Sequence, residues 1–273
     1  MSVINTNIKS LISQNALTRN ARDVANSMQQ LSTGKRINSA ADDAAGLAIS
    51  NKMTSQIRGL NQAIRNANDG ISMLQTAEGA TQEITNMLQR MRELAIQASN
   101  DTYSADDRAA LDTEIVELEA EITRIAKNTK WNNMSILDNP AQKVLQVGIA
   151  SDDDSTIEVA FVDLTGAGLN IVGLDVKTHA AAQTSLDKID TAIGDVDAFR
   201  ADMGAKINRL NFAADNLANI SINTSASRSR IEDADFAKAS SELARTQIIQ
   251  QAATAVLSQA NTNQQSVLKL LQG

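Results

Sequence analysis

Residues 53–98 read MTSQIRGLNQAIRNANDGISMLQTAEGATQEITNMLQRMRELAIQA, and their apolar positions decide the architecture. Met53, Ile57, Leu60, Ile64, Ala67, Ile71 and Leu74 recur at alternating steps of four and three. The series continues through Ala77, Thr81, Ile84, Leu88, Met91, Ala95 and Ala98. This spacing returns to one helix face every two turns. It predicts a helix of about fifty residues, roughly 75 Å long, packed lengthwise as in a coiled coil rather than in a bundle of short helices. Pro140 is the single proline in 273 residues, so little interrupts such helices.

Outward from this stretch, Ser99 to Ser104 (SNDTYS) ends the helix. Ser104 followed by Asp107 reads as a capping box that opens a second helix. Leu111, Ile115, Leu118, Ile122 and Ile125 give that helix its stripe, and it ends near Asn128. A third long stripe holds Leu186, Ile189, Ile193, Val196, Met203, Ile207, Leu210, Ala214 and Leu217, with Arg200 at its one position that is not apolar. Between them the texture changes. Val144, Leu145, Val147 and Ile149 form a β-rich run, residues 151–155 make an acidic turn, and Thr156 to Val162 alternates polar and apolar residues. This reads as a β-hairpin. Gly166, Gly168 and Gly173 mark a loop before the third helix. The expected class is mainly α: long coiled-coil-like helices from both termini packed together, with a small hairpin region between the halves.

The ends of the chain match each other in chemistry. Thr246 to Leu268 carries no charge, and Met1 to Thr18 carries only Lys9. At the N-terminal end Ile4, Ile8 and Leu11 form one short stripe, and Leu17, Ala21, Val24, Met28 and Leu31 form a second, shifted one. At the C-terminal end the stripe is Ile249, Ala253, Val256, Ala260, Val267 and Leu270, with Asn263 in the gap. A surface helix would set Lys, Glu and Arg opposite such a stripe. Here Gln, Asn, Ser and Thr stand there. Terminal helices of this kind suit enclosure by other protein, and these stripes are the candidate subunit-packing residues. Asn263 either fixes register, as a buried polar residue can, or is a tolerated polar site.

Composition excludes several classes. A net charge of −7 opposes nucleic acid as a partner, since phosphate binding needs clustered Lys and Arg. There is no cysteine, hence no disulfide and no thiolate metal site. No apolar run approaches a bilayer span, and the terminal stripes lack the Lys-rich face and bulky aromatics of a lipid-surface helix. No secretory signal peptide is visible. A cytoplasmic protein and one exported without a cleaved signal both fit. His179 is the single histidine, so neither a triad nor a histidine-rich zinc site can be built. Asp152, Asp153 and Asp154 lack the ligand spacing of a calcium loop and read as a solvated turn. The expectation is a structural protein, with no enzyme activity, no cofactor and no metal.

Specific strings then point to a family. INTNIKSL at Ile4 to Leu11 resembles the start of bacterial flagellin. QQLSTGKRINSAADDAAGLAIS at Gln29 to Ser50 resembles the flagellin segment perceived by plant immune receptors. QRMRELAIQASN at Gln89 to Asn100 resembles the segment recognised by an animal Toll-like receptor. The residues from Ile231 to Gln272 are similar to the flagellin C-terminus almost throughout, and LQVG at Leu145 to Gly148 resembles the start of the family's hairpin. Trp131-Asn132-Asn133 stands where many relatives have Phe-Asn-Gly.

The resemblance implies a subunit that polymerises into the flagellar filament, the helical propeller for motility. It implies an inner domain of residues 1–42 and 228–273, and a second domain of residues 43–227 with the hairpin at about 140–177. The outer domains of most relatives should be missing. It also implies export by the flagellar type III apparatus to an extracellular filament. Expected partners are other copies of the chain, hook-associated junction and cap proteins, a chaperone on the C-terminal helix, and host immune receptors that meet the monomer. Gln89, Arg90, Glu93, Leu94 and Glu114 match the family's receptor-facing positions. The alternative within the same resemblance is a hook–filament junction protein.

Overall fold

The computed structural model describes the backbone of residues 6–271 and the side chains of residues 6–262. Five helices carry the chain: α1 (Ile8–Thr33), α2 (Ala44–Ala98), α3 (Ala105–Asn128), α4 (His179–Glu232) and α5 (Phe236–Leu271). Between α3 and α4 lie β1 (Lys130–Trp131), β2 (Met134–Ser135), β3 (Gln142–Gln146) and β4 (Thr156–Ala160). The chain forms two compact units, one of Met1–Ser55 with Asn223–Gly273 and one of Gln56–Ile222.

The larger unit is built on the predicted stripes. Leu74, Ala77, Ile84, Leu88, Met91, Ala95 and Ala98 of α2 are sealed from solvent. So are Ile115 and Ile122 of α3, and Ile189, Val196, Met203 and Leu210 of α4. α2 and α4 run antiparallel without slippage. Asn61 accepts from Ser221, Gln82 from Arg200, and Asp190 from Arg92. Twenty-one residues along α2 match twenty-one back along α4, then ten match ten. Arg200, the odd member of its stripe, thus reaches across to Gln82 at 2.7 Å while its neighbour Phe199 fills the core. Phe199 meets Phe161 edge-on at 6.3 Å between ring centres.

α3 begins at the predicted capping box. The Ser104 hydroxyl accepts from the Asp107 amide, and the Asp107 carboxylate accepts from the Ser104 amide. The Asp107 carboxyl is held below its ordinary pKa by these Ser104 hydrogen bonds, side chain first. β3 and β4 pair antiparallel from Gln142–Ala160 to Gln146–Thr156. Ile157, Val159 and Phe161 turn inward, as the alternation predicts. Leu145 and Ile149 lie over two glycines of the long helix. A Cβ on Gly70 would stand 2.5 Å from Leu145, and one on Gly59 would stand 2.9 Å from Ile149. Those helix glycines therefore admit the hairpin, at a propensity cost of about 1 kcal/mol each relative to Ala.

One element was not foreseen. Lys130–Trp131 and Met134–Ser135 close a two-residue hairpin through Asn132 (φ 45°) and Asn133 (φ 63°). This left-handed pair is a turn that asparagine tolerates better than other non-glycine residues, so Asn133 does what glycine does in Phe-Asn-Gly.

Candidate assembly and recognition surfaces

In the smaller unit, α1 and α5 pair antiparallel. The Asn7 side-chain amide donates to the Ala260 carbonyl at 3.2 Å, and the Asn20 amide donates to the Thr246 carbonyl at 2.8 Å. Asn20 and Ser27 are buried on α1, and Ala239 and Thr246 are buried on α5, each pair seven residues apart. Leu17, Val24, Leu31, Leu243, Ala253, Leu257 and Ala260 are half-buried. The mutual face combines these half-buried apolar side chains with small and neutral polar groups, and Asn7 and Asn20 donate to α5 carbonyls across it.

The predicted apolar stripes fall on two sides of this pairing. Leu17, Val24, Leu31, Ala253 and Ala260 are partly covered within the chain. Ile8, Leu11, Met28, Ile249 and Val256 are exposed, Val256 at 57% and Leu11 at 56%. Ile12 and Ile248, which the stripes did not include, join the exposed side. Ile4 lies outside the described residues, and so do the side chains of Asn263, Val267 and Leu270. The most buried members of the intrachain face were not in the stripes, since three of the four are Asn20, Ser27 and Thr246. Their seven-residue spacing was the available signal.

The turn from α1 into α2 is tied to the turn from α4 into α5. Gly34 ends α1 in the left-handed conformation (φ 70°), as a helix C-terminal glycine does. Its carbonyl accepts from the Ala234 amide, and the Arg36 amide donates to the Glu232 carbonyl at 2.7 Å. The Glu232 carboxylate is the centre of this joint. Lys35 pairs with it, and the Ser50 hydroxyl donates to it at 2.5 Å. Lys35 first and Ser50 second hold this carboxyl below the ordinary glutamate pKa. Ile37 is buried beneath the loop, and Asp43 caps α2 through the Gly46 amide at 2.8 Å. A Cβ on Gly46 would meet the Ile37 and Asp43 side chains, so a larger residue there would have to displace them.

On the larger unit, three of the receptor-facing candidates form one ionic cluster. Arg90 donates from Nε to Glu114 at 2.9 Å and from Nη1 to Glu93 at 3.1 Å. The guanidinium pKa is raised, chiefly by the Glu114 hydrogen bond and then by Glu93. Gln89 is exposed beside it. Leu94 is 1% exposed and belongs to the core beneath.

Comparison with known proteins decides the family. The profile described as Bacterial flagellin N-terminal helical region matches residues 4–142, and that described as Bacterial flagellin C-terminal helical region matches residues 186–271. The chain belongs to the bacterial flagellin family. It is 45% identical to a flagellin of Halalkalibacterium halodurans, over 98% of this chain and 99% of the relative. It is 38% identical to flagellin FlaB1 of Treponema pallidum, over 98% and 99%. Among solved structures, Bacillus cereus flagellin matches with a TM-score of 0.50 at 36% identity, over 56% of this chain and 88% of that one. A putative flagellar hook-associated protein from Vibrio parahaemolyticus shares the fold, with a TM-score of 0.60 at 13% identity, over 70% and 100%.

The two flagellin regions leave residues 143–185 between them, and the structure fills that span with most of β3, a 3-10 turn, β4, a loop and the start of α4. This is a flagellin core without the variable outer domains. Flagellin is a structural family, and no helix among the described residues is long and apolar enough to cross a membrane.

Proposed function

We propose that this chain is the repeating structural subunit of a flagellar filament. The observation that carries the reading is the exposed apolar face of the terminal helix pair. Ile8, Leu11, Ile12 and Met28 on α1 and Ile248, Ile249 and Val256 on α5 remain 39–66% exposed within one chain. Apolar side chains on helices opposed by neutral polar ones are stable when neighbours enclose them. Copies stacked head to tail supply that enclosure and generate an open helical polymer.

The two compact units then take the roles of an inner domain at the filament core and a second domain around it. The proposed inner domain is residues 1–42 with 228–273 and the second domain residues 43–227, whereas the compact units divide after Ser55 and Ile222. The terminal helices have few partners in a single chain, so they order as they assemble. This suits passage of an unfolded chain through the flagellar export channel without a cleaved signal, with a chaperone covering α5 beforehand. Hook-associated junction and cap proteins bound the polymer. Gln89, Arg90, Glu93 and Glu114 form the surface that a host immune receptor meets on the monomer, and Leu94, expected among them, supports it from the core beneath.

Seeded polymerisation tests the reading. Purified monomer mixed with short flagellar fragments should extend them into long, smooth, thin filaments visible by negative-stain electron microscopy. Persistent monomer, or short caps that block growth of other flagellins, would instead support the junction-protein reading.

A further inference from the structure

The larger unit carries a groove of about 420 Å³ whose floor is apolar and whose rim is acidic. Buried Phe199 and Leu169 line the floor, and Val162, 42% exposed, stands with Asp163, Asp195 and Asp202 at the edge. Asp163 accepts from the Thr165 amide at 2.9 Å. The carboxylates of Asp195 and Asp202, two helical turns apart on α4, have neither hydrogen bond nor ion pair among the described residues. The same unit has a feature of opposite character where α3 passes into the small hairpin. Lys127 and Lys130 are exposed there without an ion pair, and Met134 is 42% exposed beside the asparagine turn.

We infer that the groove receives the Lys127–Met134 corner of a second copy of this chain. The inference rests on the filament reading and names one of its subunit contacts. The two surfaces match in chemistry. A lysine buries its methylene stem on an apolar floor while its ammonium stays at a polar edge, and methionine fills irregular apolar gaps. Two free carboxylates face two free ammonium groups. In a polymer whose subunits each carry −7, contacts that set opposite charges together also offset the repulsion between copies. The contact joins two different patches, so it propagates rather than closing on itself.

The test uses the full-length chain in seeded growth. An Asp195→Asn, Asp202→Asn double variant and a Lys127→Gln, Lys130→Gln double variant should each slow elongation about tenfold at low salt, with the deficit shrinking as salt rises. Reversing both sides together (Asp195→Lys, Asp202→Lys, Lys127→Glu, Lys130→Glu) should restore growth. A zero-length carbodiimide applied to filaments of mixed heavy- and light-isotope subunits should join Asp195 or Asp202 to Lys127 or Lys130 between copies. Wild-type growth with normal growth of both double variants, or cross-links from these aspartates only to other lysines, would overturn the contact and leave the filament reading standing. Failure of the wild-type chain to extend seeds would overturn both.

Discussion

Asn20 donates its side-chain amide to the backbone carbonyl of Thr246 at 2.8 Å, joining positions 226 residues apart in the chain. Asn20 is 6% exposed and Thr246 1% exposed, the most buried polar contact between the two terminal helices. A polar group so placed fixes the register of a helix pair, because sliding by one turn leaves it unsatisfied. Asn20→Ala is expected to weaken the α1–α5 pairing by about 1 kcal/mol. Amide hydrogen exchange of the monomer should then quicken in α1 and α5 and stay unchanged in α3, which belongs to the other unit.

Val256 is exposed in a single chain, so Val256→Asp has little to disturb within the monomer. It places a charge on the face proposed to be enclosed by neighbours, where burial of an unpaired carboxylate is costly. Monomer circular dichroism should match the parent, and seeded growth should stop. Normal filament yield from this variant would remove the terminal-packing role of the stripe.

Glu232 sits between Lys35 and Ser50, and its carboxyl pKa is lowered, first by Lys35 and then by Ser50. A carboxyl whose folded pKa lies below its unfolded value contributes stability above the unfolded pKa of about 4.3. That contribution is lost as pH falls through the folded value. Protection factors of the amides in residues 34–39, which divide out the pH dependence of intrinsic exchange, should therefore fall as the solution is acidified below about pH 4. Glu232→Gln should be less protected already at neutral pH, with that part of the pH dependence gone.

Arg90 bridges Glu114 and Glu93 on the exposed surface, where solvent screens such pairs and they add little to stability. Arg90→Ala should shift the monomer melting temperature by only a few degrees, while a cell-based immune-receptor reporter should lose most of its response. An unchanged response would place receptor contact elsewhere. Leu94→Ala should act differently. Truncating this 1%-exposed core residue should cost about 2–5 kcal/mol, so loss of response there reports folding rather than contact.

The larger unit was legible because its elements are governed by periods visible over short windows. Each position of the residue 53–98 stripe from Leu74 to Ala98 that the reading put inward is buried, and Ser104 and Asp107 form their capping box. The strand alternation at Ile157 and Val159 was equally readable. The hairpin through Asn132 and Asn133 was less so, since its left-handed residues are not glycine. In the smaller unit the stripes include Leu17, Val24, Leu31, Ala253 and Ala260, which are partly covered, but not Asn20, Ser27, Ala239 and Thr246, which are the most buried described residues of the terminal helices. Apolarity measures how strongly a side chain leaves water and not which neighbour it meets. Two narrow faces on one helix therefore cannot be assigned from hydropathy alone.

The sequence by itself determined the long helices, their ends, the hairpin, the absence of room for outer domains, and the family, because local periodicity, caps and long matching strings carry that information within a few turns. The tertiary structure alone decided the α1–α5 register, the Glu232 joint between Lys35 and Ser50, the placing of Leu145 and Ile149 over Gly70 and Gly59, and the acidic groove beside Phe199. Each of these joins residues far apart in the chain. Such pairings are set by which surfaces fit when the whole chain packs, and no local window of sequence contains both partners.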